Sequence, residues 1–297
     1  MTDAPSCSPG TVSRILWHFT GGPDWDSERR MQKKSRKPTA RAYRNLKSII
    51  RTKEVHLGQY QEAVSVIVPR RRKFNVKTRR TEIEENVRLT LTSVPTCCLS
   101  DIPIQHLHYH ANRYGPFAIG FHRAAAVREG FNPVLYTLEH TSIIQSIYGG
   151  LSELDFVEPE IISNGLDEIE SSLKTIESKL GENNVQTELG DLRGKVLSLQ
   201  PEAEGIKNSV KQGCESLRRL LAFVKTFSED EFSTIYCERE WRSLRAFQFS
   251  MDDVAMIVVP RLVGSPSYFE DFVNEVVSTL RIPPTIPVVP WEDLVEQ

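Results

Sequence analysis

The sequence predicts an α+β protein in which a mixed-sheet core, over residues 12–160 and 228–297, is interrupted by a helical insertion over residues 164–227. Three observations carry that prediction. Strand-like apolar runs bounded by Gly, Pro, Asn and Asp stand on both sides of the insertion, from VSRILWHFT near the start to VAMIVVP near the end. Between them Leu166, Ile169, Leu173, Ile176 and Leu180 step by three and four, the spacing of one helix face. Strands and helices do not alternate regularly, so a doubly wound parallel sheet is not expected.

Residues 1–13 are small and polar and are expected to fray. Val12 to Thr20 reads as a first strand, ended by Gly21-Gly22-Pro23-Asp24, with a charged loop over 27–38. A helix is expected from Thr39, with Thr39 as N-cap and Ala42, Leu46, Ile49 and Ile50 on its inner face. Ala63 to Val68 has strand composition, PRRRKFNVKTRRT reads as a basic loop or hairpin, and Thr81 to Leu91 is ambiguous. The stretch Thr96 to Phe121 then joins an apolar run, a turn over Ser100–Pro103, three histidines and the strand-like Phe117 to Phe121. A short helix near Arg123–Glu129 and a strand over Pro133 to Leu138 follow.

Inside the insertion, Gly181 to Asn184 interrupts the first stripe. Val185, Leu189, Leu192, Val196 and Leu199 form a second, and after Pro201 a third runs from Ile206 to Val224, giving two or three helices. Their narrow apolar faces suit a lid on the protein's own core, or a surface for a protein partner or a homodimer. Strand character returns at Ile235-Tyr236-Cys237 and Glu238 to Arg242, and Ser267 to Leu280 reads as a C-terminal helix. The Pro-rich tail RIPPTIPVVPW is expected to lie extended over the surface.

With 39% hydrophobic and 26% charged residues, the composition is that of a soluble globular protein. No apolar run reaches the roughly 20 residues a membrane helix needs, so no membrane association is expected. No secretory signal is expected at the N-terminus, and five cysteines without a paired framework suit reduced thiols in the cytoplasm. The net charge of -2 hides an asymmetry: residues 29–80 hold 18 of the 37 Lys and Arg against only Glu54 and Glu62. Such a segment can meet the phosphates of a nucleic acid, or serve as a solvated face that pairs with acidic surface.

Several patterns bear on chemistry. His106, His108 and His110 alternate, but no HExxH or CxxC accompanies them, so no metal site is assigned. There is no dinucleotide, P-loop or GxSxG signature. Glu238-Arg239-Glu240-Trp241-Arg242 places Glu238, Glu240 and Arg242 on one face of a strand, either as acid–base groups or as an ion-pair ladder. Trp17-His18-Phe19-Thr20 sets a histidine among aromatics at a strand end, suited to a ribose hydroxyl or phosphate, or to a satisfied half-buried histidine.

Taken in order, the WHFT opening, the LKSII helix, CLSDIP, H-x-x-x-YG with FAIGF, NPVLY, EREWR and the strand ending in VP resemble the AbiGi-type abortive-infection proteins of bacteria. These blocks cover roughly residues 12–140 and 215–262. The resemblance implies phage resistance on the antitoxin side of a toxin–antitoxin pair. A looser similarity, carried by His18-Phe19-Thr20 and the helix with Leu46 and Ile49-Ile50, is to ADP-ribosyltransferases. It implies an ADP-ribosyltransferase-like core that binds NAD. His18 would hold the nicotinamide ribose, with Thr20 and Ser100 in the same cofactor set. Tyr114 would stack the nicotinamide ring, and Glu240, with Glu238 as its competitor, would stabilise the oxocarbenium-like centre. The Ser-Thr-Ser strand of that superfamily is missing, with Ser100 the only stand-in, so a transferase and a non-catalytic binding protein with a degenerate cleft both stay open.

Overall fold

The computed structural model describes residues 13–26, 28, 31–58, 61, 63–75, 78, 80–138, 141–147, 159–179, 185–229, 238–261, 263 and 267–295. The helix break expected at Gly181 to Asn184, the strand expected at Ile235 to Cys237 and all but the last residue of the expected frayed N-terminus lie outside them.

The chain opens with β1 (Ile15–Phe19), then a hairpin of β2 (Pro23–Asp26) and β3 (Met31–Arg36), helix α1 (Thr39–Thr52) and the short β4 (Glu54–Val55). A long hairpin of β5 (Ala63–Asn75) and β6 (Arg80–Thr92) follows. Next come β7 (Cys97–Ser100), α2 (Leu107–Tyr114), β8 (Ala118–His122), α3 (Arg123–Arg128), β9 (Asn132–Pro133) and β10 (Leu135–Leu138). Two long helices, Pro159–Lys179 and Val185–Leu221, lead to β11 (Val224–Phe227). The remaining strands are β12 (Glu240–Ser243), β13 (Phe247–Gln248), β14 (Val254–Val259) and β15 (Val288–Pro290).

Seven strands form one mixed sheet in the order β15-β14-β8-β1-β7-β12-β9, in which only the β14–β15 pair is parallel. Alternation along β1 sends Leu16 to one face and Trp17 to the other. On the Leu16 face lie Ala42, Tyr43, Leu46, Ile49 and Ile50 of α1 with Ile119, Phe121 and Phe272. Trp17 packs with Ile102, Leu107, Ala118 and Val258, and its indole N–H donates to the Ile102 carbonyl at 3.0 Å. Opposite Trp17 stands Gly120, where a Cβ would come within 2.9 Å of the indole, so only glycine leaves room for that ring.

Several expectations are corrected. The charged loop over 27–38 contains β3, because its residues pair with β2. Thr39 is not the cap of α1: Pro38 takes that place without a side-chain bond, and its carbonyl accepts the Arg41 and Ala42 N–H groups. Pro201 does not divide the second long helix, which runs through it with Val196 and Ala203 buried on either side. Val224 belongs to a strand rather than to the third helical stripe, so the insertion's helices end at Leu221. The Pro-rich tail adds β15 beside β14 and buries Ile282 and Ile286, with Pro290 on the sheet edge where a missing N–H is tolerated.

Among the described residues two units separate: one of residues up to 62, Ser93–Leu138 and Leu221 onward, the other of Ala63–Thr92 and Glu139–Leu220. The first holds the whole seven-stranded sheet. The β5–β6 hairpin groups with the helices rather than with the sheet, unlike the division expected from sequence. In that second unit Leu173, Val196 and Ala203 are buried, while Gln200 donates to Asp167 and Glu170 across the helix pair. Ile169, Ile176, Leu192, Leu199 and Ile206 remain 44–48% exposed. On the hairpin, Arg70, Arg71 and Lys73 stand opposite Glu85, Glu84 and Glu82, so much of the basic run is matched locally. No helix among the described residues is long and apolar enough to cross a membrane.

Helix α1 ends on Lys53, a left-handed residue (φ 54°) whose N–H donates to the Ile49 carbonyl. A Cβ there carries a steric cost that glycine avoids. Lys53→Gly is expected to raise stability by about 0.5–1 kcal/mol, read as a higher urea midpoint at unchanged slope.

Candidate functional site

The sheet unit contains a cleft of about 360 Å³ at the ends of β1, β7 and β12, beside α2 and β11. His18, Ser100, Tyr114, Glu238 and Glu240, drawn from stretches far apart in sequence, all line it. Register explains part of this: β7 lies between β1 and β12, with Ser100 opposite both Trp17 and Glu240. Tyr114 reaches the cleft because α2 closes against Gly21-Gly22. A Cβ on Gly21 would stand 2.8 Å from the Tyr114 carbonyl oxygen, and one on Gly22 2.9 Å from its ring.

Thr20 is the site residue that sequence placed here and the structure does not. It is 3% exposed, and its hydroxyl donates to the Ala42 carbonyl at 2.8 Å, tying the end of β1 to α1. His106, in the turn before α2, and His108 are exposed, while His110, half a turn further along α2, is buried. Among the described residues no group of three or more His, Cys, Asp or Glu is placed to hold a metal.

The back of the cleft is a buried charge cluster. Lys225 of β11 bridges the carboxylates, its Nζ donating to Glu238 at 2.5 Å and to Glu240 at 3.1 Å. Glu238 also accepts from Arg113 at 2.7 Å and from the Tyr114 hydroxyl at 3.0 Å. Arg242 donates to Glu240 at 2.8 Å and to the Ala222 carbonyl at 2.6 Å. The side chains of Lys225, Glu238, Glu240 and Arg242 are 9, 4, 11 and 2% exposed. Burial alone would raise the pKa of Glu240, but Lys225 and Arg242 outweigh it and hold the carboxyl well below the usual range. Arg239 between the two acids adopts φ 44°, and its carbonyl accepts the Asp101 N–H. The two carboxylates therefore converge on Lys225 through a left-handed residue, not through the regular strand expected over Glu238–Arg242.

Of the three histidines in the lining, His56 pairs with Glu54 at 2.7 Å, and His18 and His110 are held neutral. The Nδ1 of His18 donates to the Cys98 carbonyl at 3.1 Å, which fixes its tautomer and leaves the Nε2 lone pair as an acceptor. Burial pushes the His18 pKa down to about 4. His110 lies between Phe19 and Tyr114, stacked on the latter at 4.3 Å, and its Nε2 is 3.1 Å from the Ser100 hydroxyl. Burial, then Arg113, lowers its pKa to about 3. Ser100–His110 has the contact of a nucleophile–base pair, but a base this weak does not take a serine proton near neutral pH. Asp101 does not complete a triad, since it binds Arg239 at 3.3 Å instead.

Sequence reasoning passed over Lys225 and Arg113, which with Lys37 of the basic segment make the cleft lining cationic: with Glu238 and Glu240 they leave one net positive charge, and Arg242 adds another behind it. For Lys225 a signal existed, a lone lysine in the apolar run AFVKTF, hidden because Val224 also continued a helical spacing. Arg113 carried none beyond its place before Tyr114.

Removing a buried cation strands its partners. Lys225→Met is expected to cost about 3–5 kcal/mol in urea unfolding, and Glu240→Gln in that background to restore part of the loss. Acid acts in the same direction. Unfolded histidine binds its proton near pH 6.5 and folded His18 only near pH 4, so stability falls as pH drops through that window. The depressed Glu240 adds a further loss below about pH 4.5. His18→Gln is expected to flatten the denaturant-midpoint profile between pH 6.5 and 4; an unchanged profile would show that His18 is not neutral in the folded protein.

No curated protein and no solved structure matches the chain. A family profile, that of the abortive phage resistance protein AbiGi, antitoxin, matches residues 61–277, a span that includes Ser100, Tyr114, Glu238 and Glu240 but not His18. That span covers most of the sequence, and the chain belongs to the AbiGi family of abortive phage resistance proteins.

Proposed function

We propose that this protein acts in the cytoplasm in abortive phage resistance as an antitoxin-side binding protein, and that its cleft holds a phosphate-bearing ligand without cleaving it. The observation that carries this reading is the sign of the cleft's charge. Stabilising an oxocarbenium-like centre requires a carboxylate whose field is not already cancelled. Glu240 faces two cations within 3.1 Å, and Glu238 faces Lys225 and Arg113. A developing positive charge beside Lys225 would be repelled, whereas phosphate oxygens would be attracted. The antitoxin description of the family fits a binding role. A protein partner would be gripped by the helical insertion, where Ile169, Ile176, Leu192 and Leu199 offer apolar surface.

A second reading, NAD-dependent ADP-ribosyl transfer on an ADP-ribosyltransferase-like core, is favoured by one observation: His18, Ser100, Tyr114 and both glutamates share one cleft. NAD is the ligand common to both readings. Incubating the protein with NAD separates them. The binding reading expects saturable NAD binding with the dinucleotide recovered intact. Nicotinamide release that disappears in Glu240→Gln would overturn it in favour of transfer.

A further inference from the structure

The cations of residues 29–80 differ in what faces them. On the β5–β6 hairpin Arg70, Arg71 and Lys73 stand opposite glutamates, and Lys73 also lies 3.2 Å from Glu84. Arg41 donates to Asp24 at 2.8 Å, and Lys33 lies 3.9 Å from the same carboxylate. Arg44, Lys47 and Arg51 are placed otherwise. Spaced by three and four, they share the side of α1 away from its buried Ala42, Leu46 and Ile50. With Ser48 they line a groove of about 650 Å³ against the C-terminal helical segment, whose Glu275 is the one carboxylate among the described lining residues. Glu275 sits in a π-helical turn, Phe272–Val276, a distortion that often marks functional surfaces. Lys47 is held over the Tyr43 ring at 4.3 Å, which orders its charge.

The geometry points to a nucleic-acid backbone site: Arg44, Lys47 and Arg51 track about three successive phosphates, independent of base sequence. Seven residues of helix span about 10 Å, and one strand of a duplex carries a phosphate about every 3.4 Å along its axis. Among the described residues no aromatic side chain lines the groove, so these offer no stacking platform for bases. The ligand is therefore duplex backbone, bound with the weak affinity of about 10⁻⁴–10⁻⁶ M typical of contacts without base readout.

The test is fluorescence anisotropy of a labelled duplex DNA of arbitrary sequence, titrated with the full chain across a series of salt concentrations. Log affinity against log salt is expected to fall with a slope of about -2.7, or -0.9 for each of three contacts. Arg44→Ala and Arg51→Ala should each weaken binding and reduce the slope's magnitude by about 1. Arg71→Ala, opposite Glu84 on the hairpin, should change neither. Thermal melts of all variants check that the fold is kept. An unchanged slope in both α1 variants, or binding to phosphatidylserine vesicles with none to DNA, would overturn the site.

Discussion

The Lys225 ammonium holds the cleft together. It reaches Glu238 and Glu240 at once, from a strand that enters the fold only after the long helical insertion. Arg242 extends the same network to the Ala222 carbonyl, so the chain leaving that insertion is fastened to β12 by charge-assisted hydrogen bonds. Such a cluster is a costly way to fill a protein interior. Desolvation of four ionised groups consumes much of their mutual attraction, and hydrophobic replacement often does as well for stability. What the arrangement provides is position: two carboxylates, the Tyr114 hydroxyl and three cations fixed against one another at hydrogen-bond distance.

That fixity also limits the chemistry. Carboxylates serve cation-forming reactions when they face the reacting atom with their charge uncompensated. Here both are saturated, His18 and His110 are neutral and poorly basic, and the Cys98 thiol is pushed well above its usual pKa by burial and then by Glu240. His18, His110 and Cys98 are therefore not poised as strong bases or nucleophiles near neutral pH. A surplus of positive charge in a recess with aromatic walls suits a bound anion with an attached ring better than a bond-breaking centre.

Much of the sheet unit was legible in the sequence because its signals are local. Leu16 and Trp17 alternate on β1, Ala42 to Ile50 follow helical spacing, and Ser267 with Glu270 forms a capping box. Five of the six residues expected at the site meet in one cleft, since strand ends project side chains to one rim of a sheet. What could not be read was non-local. Nothing near Lys225 says which carboxylates it will face, and the tail's place beside β14 depends on a parallel pairing that leaves no periodic trace. Thr20 was misplaced because its hydroxyl finds the Ala42 carbonyl, a partner twenty-two residues away. The basic segment looked uniform in composition, but the register of β5 on β6 sets glutamates opposite Arg70, Arg71 and Lys73.

The cleft's preference for anions rests on Lys37 and Arg113, whose charges stand beyond the buried Lys225, Arg242, Glu238 and Glu240, which cancel. Calorimetric titration with inorganic pyrophosphate and, separately, with the 1-methylnicotinamide cation tests it most directly. Pyrophosphate is expected to bind, Arg113→Ala to weaken it at least about tenfold, as for loss of a charge-assisted contact, and the cation not to bind. Binding of the cation without pyrophosphate would contradict it.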